Sequence, residues 1–364
     1  MKHKLSSFLI VSALYTHAFA AEVVKPAPVL VKPSAPVVVV AKSFFPEGEL
    51  QSKYASWGID PEQKNASINL KESWFKFKKN KEIVVAVIDT GIDYSHPFLQ
   101  QNIYTIGGKG SASNYGMDFS TKVPTNTPSD AHGHGTHVSG IIKSIFPDVK
   151  IVALKYYNPQ ASGQENLNAT IKALEYAVDQ NVDIINYSGG GPEPAVEELR
   201  ILKRAEQKGI IVVAAAGNEK SDIDDKKNAY YPASYGLSNI VTVGAHDENN
   251  ETISSSNWGK KSVDVAAPGY RIRSAIPTSG VGFMTGTSQA TAFVTGVAAL
   301  LKSQFPELTA NEIKTIVVAS SKKEKGLIGK CVSEGRLDAG RALEVADTFT
   351  SSKFSKTRAV AQTK

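Results

Sequence analysis

The chain has 364 residues, a formal net charge of +6 and one cysteine, with 41% hydrophobic and 21% charged residues. That balance excludes a wholly disordered chain, and the length suits one large domain or two ordinary ones. One cysteine excludes an intramolecular disulfide and any zinc centre built on several thiolates. A positive balance raises polyanions as partners, so the placement of the charge matters.

Residues 1–20 join Lys2 and Lys4 to an apolar stretch over 8–14 and close on Ala18-Phe19-Ala20, the pattern of a cleaved export signal. The stretch is well short of the roughly 20 residues that span a bilayer. No cysteine follows the cleavage site, which argues against lipid attachment. Residues 21–46 carry five prolines among Val, Ala and Lys and predict a semi-rigid linker or short pro-segment. Residues 348–364 are polar, with four basic residues and no acidic one, and predict a basic disordered tail. These three segments carry +2, +2 and +4, so of the total +6 the remainder, 47–347, holds −2. The basic balance is peripheral and argues against a nucleic-acid groove on the folded body.

Within that body, the β-branched run at 83–88 fits a strand buried on both faces. Comparable runs stand at 149–154, 182–185, 210–214, 240–243 and 263–266. Helical patterns cover 164–180, 195–208, 288–304 and 310–319. The alternation predicts an α/β doubly wound fold, a three-layer arrangement with a mostly parallel sheet between helices. Sites in such folds lie beyond the carboxyl ends of the strands.

Asp89 ends the first run; alone, it could serve a ribose, a metal or a histidine. DAHGHGTHVSG at 130–140 contains His132, His134 and His137, three of the seven histidines. A metal site is one reading, but the glycines break helical spacing and no glutamate separates the histidines as in a zincin. The preferred reading is one histidine that opens a helix and acts as a general base. Ser288 opens the helical pattern at 288–304. It can be a simple N-cap, yet the helix dipole there also favours developing negative charge. Asn218, just past the run at 210–214, can be a turn residue or an amide aimed at an oxyanion.

Together, VIDTGID at 87–93, HGTHVSG at 134–140 and GTSQATAFVTG at 286–296 resemble the subtilisin-like serine proteases, in the order Asp, His, Ser. YSGGGP at 187–192, AAAGNE at 214–219 and YYPASY at 230–235 extend the resemblance over about residues 50–346. It implies a peptidase domain over 47–347 that cuts polypeptides through an acyl-enzyme. Asp89 would orient His134, His134 would move the proton, Ser288 would attack, and Asn218 would hold the oxyanion. His132 and His137 would be structural or surface residues. Ser188, Gly189 and Gly190 would line the primary specificity (S1) pocket, and Ser162 and Gly163 the opposite segment. Glycines there let a peptide approach as an added strand. The expected protein is a secreted or periplasmic monomer with polypeptide substrates, no nucleic-acid partner and no membrane span after signal cleavage. The competing reading is a catalytically silent relative used for binding; all four catalytic positions are filled, which disfavours it.

Departures from the family pattern carry further expectations. Phe98 stands where relatives often place an aspartate of a tight calcium site, and cannot ligate calcium. The helix after His134 also runs directly into Phe146-Pro147-Asp148. No cofactor is therefore expected to be required, and Asp222, Asp224 and Asp225 read as a solvated loop rather than a weak ion site. Gln289 replaces an often oxidisable methionine and predicts peroxide resistance. Tyr230 at the base of S1 favours small or medium side chains and Glu219 near its mouth favours basic ones, which leaves the preference open. Residues 21–50 are too few and too proline-rich for a folded pro-domain. Cys331 reads as an unreactive thiol, and the sequons at Asn65, Asn168, Asn186 and Asn250 are weak signals.

Overall fold

A computed structural model describes residues 49–63, 65–104 and 114–362; the expected export signal and linker lie outside the described residues. The six apolar runs become six parallel strands: β1 (Val84–Asp89), β3 (Lys150–Lys155), β4 (Ile184–Tyr187), β5 (Ile211–Ala215), β6 (Ile240–His246) and β7 (Val265–Pro268). With β2 (Gly116–Asp118), β10 (Lys322–Lys323) and β11 (Gly335–Arg336) they form a nine-stranded sheet ordered β10-β11-β7-β6-β5-β4-β1-β3-β2. Only the β10–β11 pair is antiparallel. A separate antiparallel hairpin joins β8 (Ile272–Ile276) to β9 (Gly280–Met284).

Side chains alternate across a strand, and β1 shows what that does here. Val85 and Val87 pack with Val138 and Ile142 of α3 (His134–Ile145) and Val294 of α6 (Thr287–Gln304). Ala86 and Ile88 pack on the other face with Leu174 of α4 (Gly163–Asp179) and Leu202 of α5 (Val196–Gln207). The result is the expected helix–sheet–helix layering. Two short helices, α1 (Glu49–Tyr54) and α2 (Leu70–Lys76), precede β1, and α7 (Ala310–Ser320) follows α6.

The last described element is α8 (Ala339–Gln362), so helix occupies 348–362 where a disordered tail is expected from sequence. The cause is visible in its first half. Phe349 packs against the main core, Thr350 is buried, and Lys353 Nζ lies 2.7 Å from Glu312 Oε1 of α7. Composition alone misses such anchors.

After β1 the chain moves to β2 and β3 on one side and then returns to β4 on the other. The carboxyl ends of β1 and β4 therefore flank the point where the winding reverses, which is where crevices open in such sheets. Asp89 ends β1, and Ser188 follows β4 directly.

Candidate active site

Asp89 is 3% exposed, and its Oδ1 accepts the Thr90 N–H at 2.7 Å. The same oxygen lies 2.7 Å from His134 Nδ1. This contact fixes the tautomer: Nδ1 carries the proton toward Asp89, and Nε2 is left for the cleft. Burial of His134 disfavours the charged ring, but the Asp89 charge and hydrogen bond outweigh it and raise the pKa above the ordinary value. His134 is the first residue of α3, after Gly133 at φ 96°. The approach of α3 to the β1 loop depends on Gly135, where a Cβ would come within 2.1 Å of the Gly91 carbonyl oxygen.

A buried residue that the motif reading passed over holds this helix start in place. Asp130 Oδ1 accepts from Thr90 Oγ1 (2.9 Å), His132 N (3.0 Å) and Gly133 N (2.7 Å). Its Oδ2 accepts from Thr136 N (2.9 Å) and Thr136 Oγ1 (2.7 Å). Burial alone would raise the Asp130 pKa; the hydrogen bonds from Thr136, Gly133 and Thr90 win, and it is lowered. The signal was available in sequence as an aspartate just ahead of a helix start, with a threonine in the first turn.

The three clustered histidines do not converge on a metal position. His137 is fully buried and lies with Nε2 2.9 Å from the Ile272 carbonyl oxygen; burial, and then the nearby His134, push its pKa down to about 3. His132 is exposed, edge-on to Tyr157. Among the described residues, no group of three or more His, Cys, Asp or Glu side chains could hold a metal ion.

Ser288 is the second residue of α6, 7% exposed, and its Oγ donates to the Ser188 carbonyl at 3.1 Å. The contact recorded for His134 Nε2 is Gln289 Nε2 at 3.5 Å, too long to be a strong hydrogen bond. Asn218 Oδ1 accepts from Thr287 N (3.0 Å) and Thr287 Oγ1 (3.3 Å), which ties its side chain to the start of α6. Asn257 secures the loop that carries Asn218. Its Oδ1 accepts from Glu219 N and Ser221 N, and its Nδ2 donates to the Ala216 carbonyl and to Glu219 Oε2. Nothing in the local sequence distinguishes Asn257 from a turn asparagine.

A cleft of about 380 Å³ runs from Asp89, His134, Asn218 and Ser288 past Ser188, Gly189, Gly190 and Gly163. Gly191 pairs with Tyr231 across two backbone hydrogen bonds of 2.8–3.0 Å, which fixes the 188–191 segment at the cleft edge. Glu219 and Tyr230 also line the cleft. Ser162 is a correction. It is not among the lining residues, because its side chain caps α4: Oγ accepts from Glu165 N at 3.2 Å and donates to Glu165 Oε2 at 2.8 Å. Serine next to glycine reads equally well as a substrate segment or as a helix start, and here the capping box decides.

Phe98 is buried, stacked on Tyr54 with ring centroids 4.5 Å apart, and Lys143 Nζ lies 4.6 Å from its ring centre while donating to its carbonyl. An aromatic and cationic packing cluster fills that position. Asp224 accepts from the backbone N–H groups of Lys261 and Ser262, so it serves the loop. Cys331 is buried, with Sγ against Ser333 and the Gly335 carbonyl, and does not line this cleft. Asn186, one of the four sequon asparagines, is fully buried and bonded to Ser188 and Thr295.

The profile of the subtilase family matches residues 80–337. The chain is 38% identical over 245 residues to the "Major intracellular serine protease" of Bacillus subtilis, covering 65% of this chain and 73% of that protein. It is 34% identical to Subtilisin DY of Bacillus licheniformis, covering 65% and 82%. A similarity of 35% over 270 residues links it to the "Intracellular serine protease" of Paenibacillus polymyxa, covering 68% and 78%.

Proposed function

Given that the chain belongs to the subtilase family and is a serine-type endopeptidase, we propose that Asp89, His134, Ser288 and Asn218 carry the reaction. The observation that supports this most is the 2.7 Å Asp89–His134 contact, set at the start of α3. A peptide laid along 188–191 offers its own N–H groups to the Ser188 carbonyl. That releases Ser288 Oγ from its present acceptor toward His134 Nε2. The serine oxygen then forms a bond to the peptide carbon while its proton passes to Nε2. The resulting imidazolium is stabilised by Asp89. Charge moves onto the former carbonyl oxygen, where the Asn218 amide and the Ser288 backbone N–H receive it. Nε2 returns the proton to the leaving amine as the C–N bond breaks. Water repeats the sequence on the acyl-enzyme and frees the new carboxylate.

A fluorophosphonate probe tests this directly. The wild-type protein should be labelled stoichiometrically, and Ser288→Ala should not. A folded wild type that resists labelling overturns the reading and favours a silent binding protein.

The reading extends to a monomer that is exported, and its secreted or periplasmic placement is supported by the pattern at 1–20. No described helix is long and apolar enough to cross a membrane. Cell fractionation with mass spectrometry of the N-terminus checks it, and retention of residues 1–20 on a cytoplasmic enzyme overturns it. Activity without a tightly bound calcium also belongs to this reading, supported by the aromatic packing of Phe98.

A further inference from the structure

The cleft beside Ser288 is lined by Glu193, Glu198 and Glu219, and its described lining includes no lysine or arginine. Two of these carboxylates are held by neutral donors. Glu198, on α5 and 2% exposed, accepts the hydroxyls of Tyr187 and Tyr235, both at 2.8 Å. Glu219, next to Asn218, accepts the Asn257 amide at 2.6 Å. Neither makes an ion pair among the described residues. Desolvation raises the pKa of both, against the hydrogen bonds from Tyr187 and Tyr235 in one case and Asn257 in the other. A carboxylate with only neutral partners, buried in Glu198 and exposed at the cleft edge in Glu219, is an unpaired charge, and a cation brought by a ligand completes the pair.

The walls suit the stem of such a ligand. Tyr156, Tyr187 and Tyr230 line the cleft. A Cβ on Gly189 would come 2.6 Å from the Tyr156 hydroxyl oxygen, and one on Gly190 2.4 Å from Tyr230 Cε1, so both rings lie hard against the 188–190 backbone. Tyr230 thus stands beside the 188–190 backbone within the cleft lining. Aromatic faces accommodate the methylenes of a long basic side chain and attract its charge.

We propose that the cleft selects lysine or arginine as the residue immediately before the cut bond, with the side chain along Tyr156 and Tyr230 and its cation directed at Glu219 and Glu198. This rests on the endopeptidase reading above and names the substrate class for it. The electrostatic contribution should weaken as salt rises, more for Glu219 at the mouth than for buried Glu198.

The test uses the full-length active enzyme and fluorogenic peptides that differ only at that residue: lysine, arginine, norleucine, alanine or glutamate. Fluorophosphonate titration counts active sites in every sample. The expected kcat/KM for lysine or arginine exceeds that for norleucine by about tenfold or more. Glu219→Gln and Glu198→Gln should each bring the ratio toward one, and Glu219→Lys should favour the glutamate peptide. A wild-type ratio at or below one overturns the proposal without reference to any variant. A ratio unchanged in every variant that titrates as active also overturns it. A wild type that does not titrate at all would instead overturn the peptidase reading, so the two failures are distinct.

Discussion

As the proposed base, His134 serves only while its ring is neutral, and Asp89 works against that neutrality by favouring the charged form. Because the pKa is raised in the fold, the acidic limb of kcat/KM should lie above the ordinary histidine value of about 6.5. Asp89→Asn should move that limb to lower pH while reducing turnover; a limb that stays in place contradicts the assignment. The pair's contribution to stability has its own sign. It is full below the unfolded value and fades as pH rises through the raised folded one. Asp130 runs the other way. Its folded pKa is depressed, so its contribution holds above about 3.9 and is lost as pH falls through the folded value. Asp130→Ala would leave five donors without an acceptor and should destabilise the fold by about 3 kcal/mol, measured as a denaturant midpoint shift in the Ser288→Ala background to avoid self-digestion. Gln289 removes one oxidisable sulfur from the site, but Met284 Sδ sits 4.0 Å from its amide. Peroxide inactivation should therefore be slow, and Met284→Leu should abolish what remains.

At the level of elements, the site depends on how closely α3 and α6 can approach their neighbours. Gly135→Ala would set a methyl group against the Gly91 carbonyl and drive the start of α3 away from β1. The expected result is a folded protein whose Ser288 labels at least about 100-fold more slowly, as a misplaced base predicts; labelling at the wild-type rate would show that the helix can yield. Gly296 plays a similar part on α6, where a Cβ would meet Ile145 Cβ at 2.7 Å. The six parallel strands from β7 across to β3 were legible in sequence because burial on both faces demands unbroken apolar runs, whereas three-residue β2 was not. The β8–β9 hairpin was not. Its turn places Thr278 and Ser279 at φ 62° and 59°, without the asparagine–glycine pair that usually announces such a turn. The two-residue strands β10 and β11 are too short for any period to show. The Asp89–His134 contact and the cleft that Ser288 and Asn218 share with it were legible through their motifs, whereas Asp130 and Asn257 are supports drawn from ordinary capping and turn vocabulary. Ser162 was misread for the same reason, since its neighbours permit either role.

For the molecule as a whole, the +6 balance belongs to segments around a body of −2, and stability has to come from packing without a disulfide. Phe98 lies in a stack with Tyr54 and beneath Lys143. A chelator should therefore shift the thermal midpoint by less than about 2 °C, since losing a tightly bound ion removes several kcal/mol and many degrees. A large drop on adding EDTA, reversed by calcium, would refute this. The single thiol has a separate use. Cys331 is 1% exposed, its Sγ lies 3.7 Å from the carbonyl oxygen of Gly335 in β11, and burial raises its pKa. A thiol reagent can reach it only when that margin of the sheet swings open. With one cysteine per chain there is no second signal to subtract. The ratio of its modification rate to that of a free thiol then reads the opening equilibrium directly, a clock for local breathing already present in the wild-type chain.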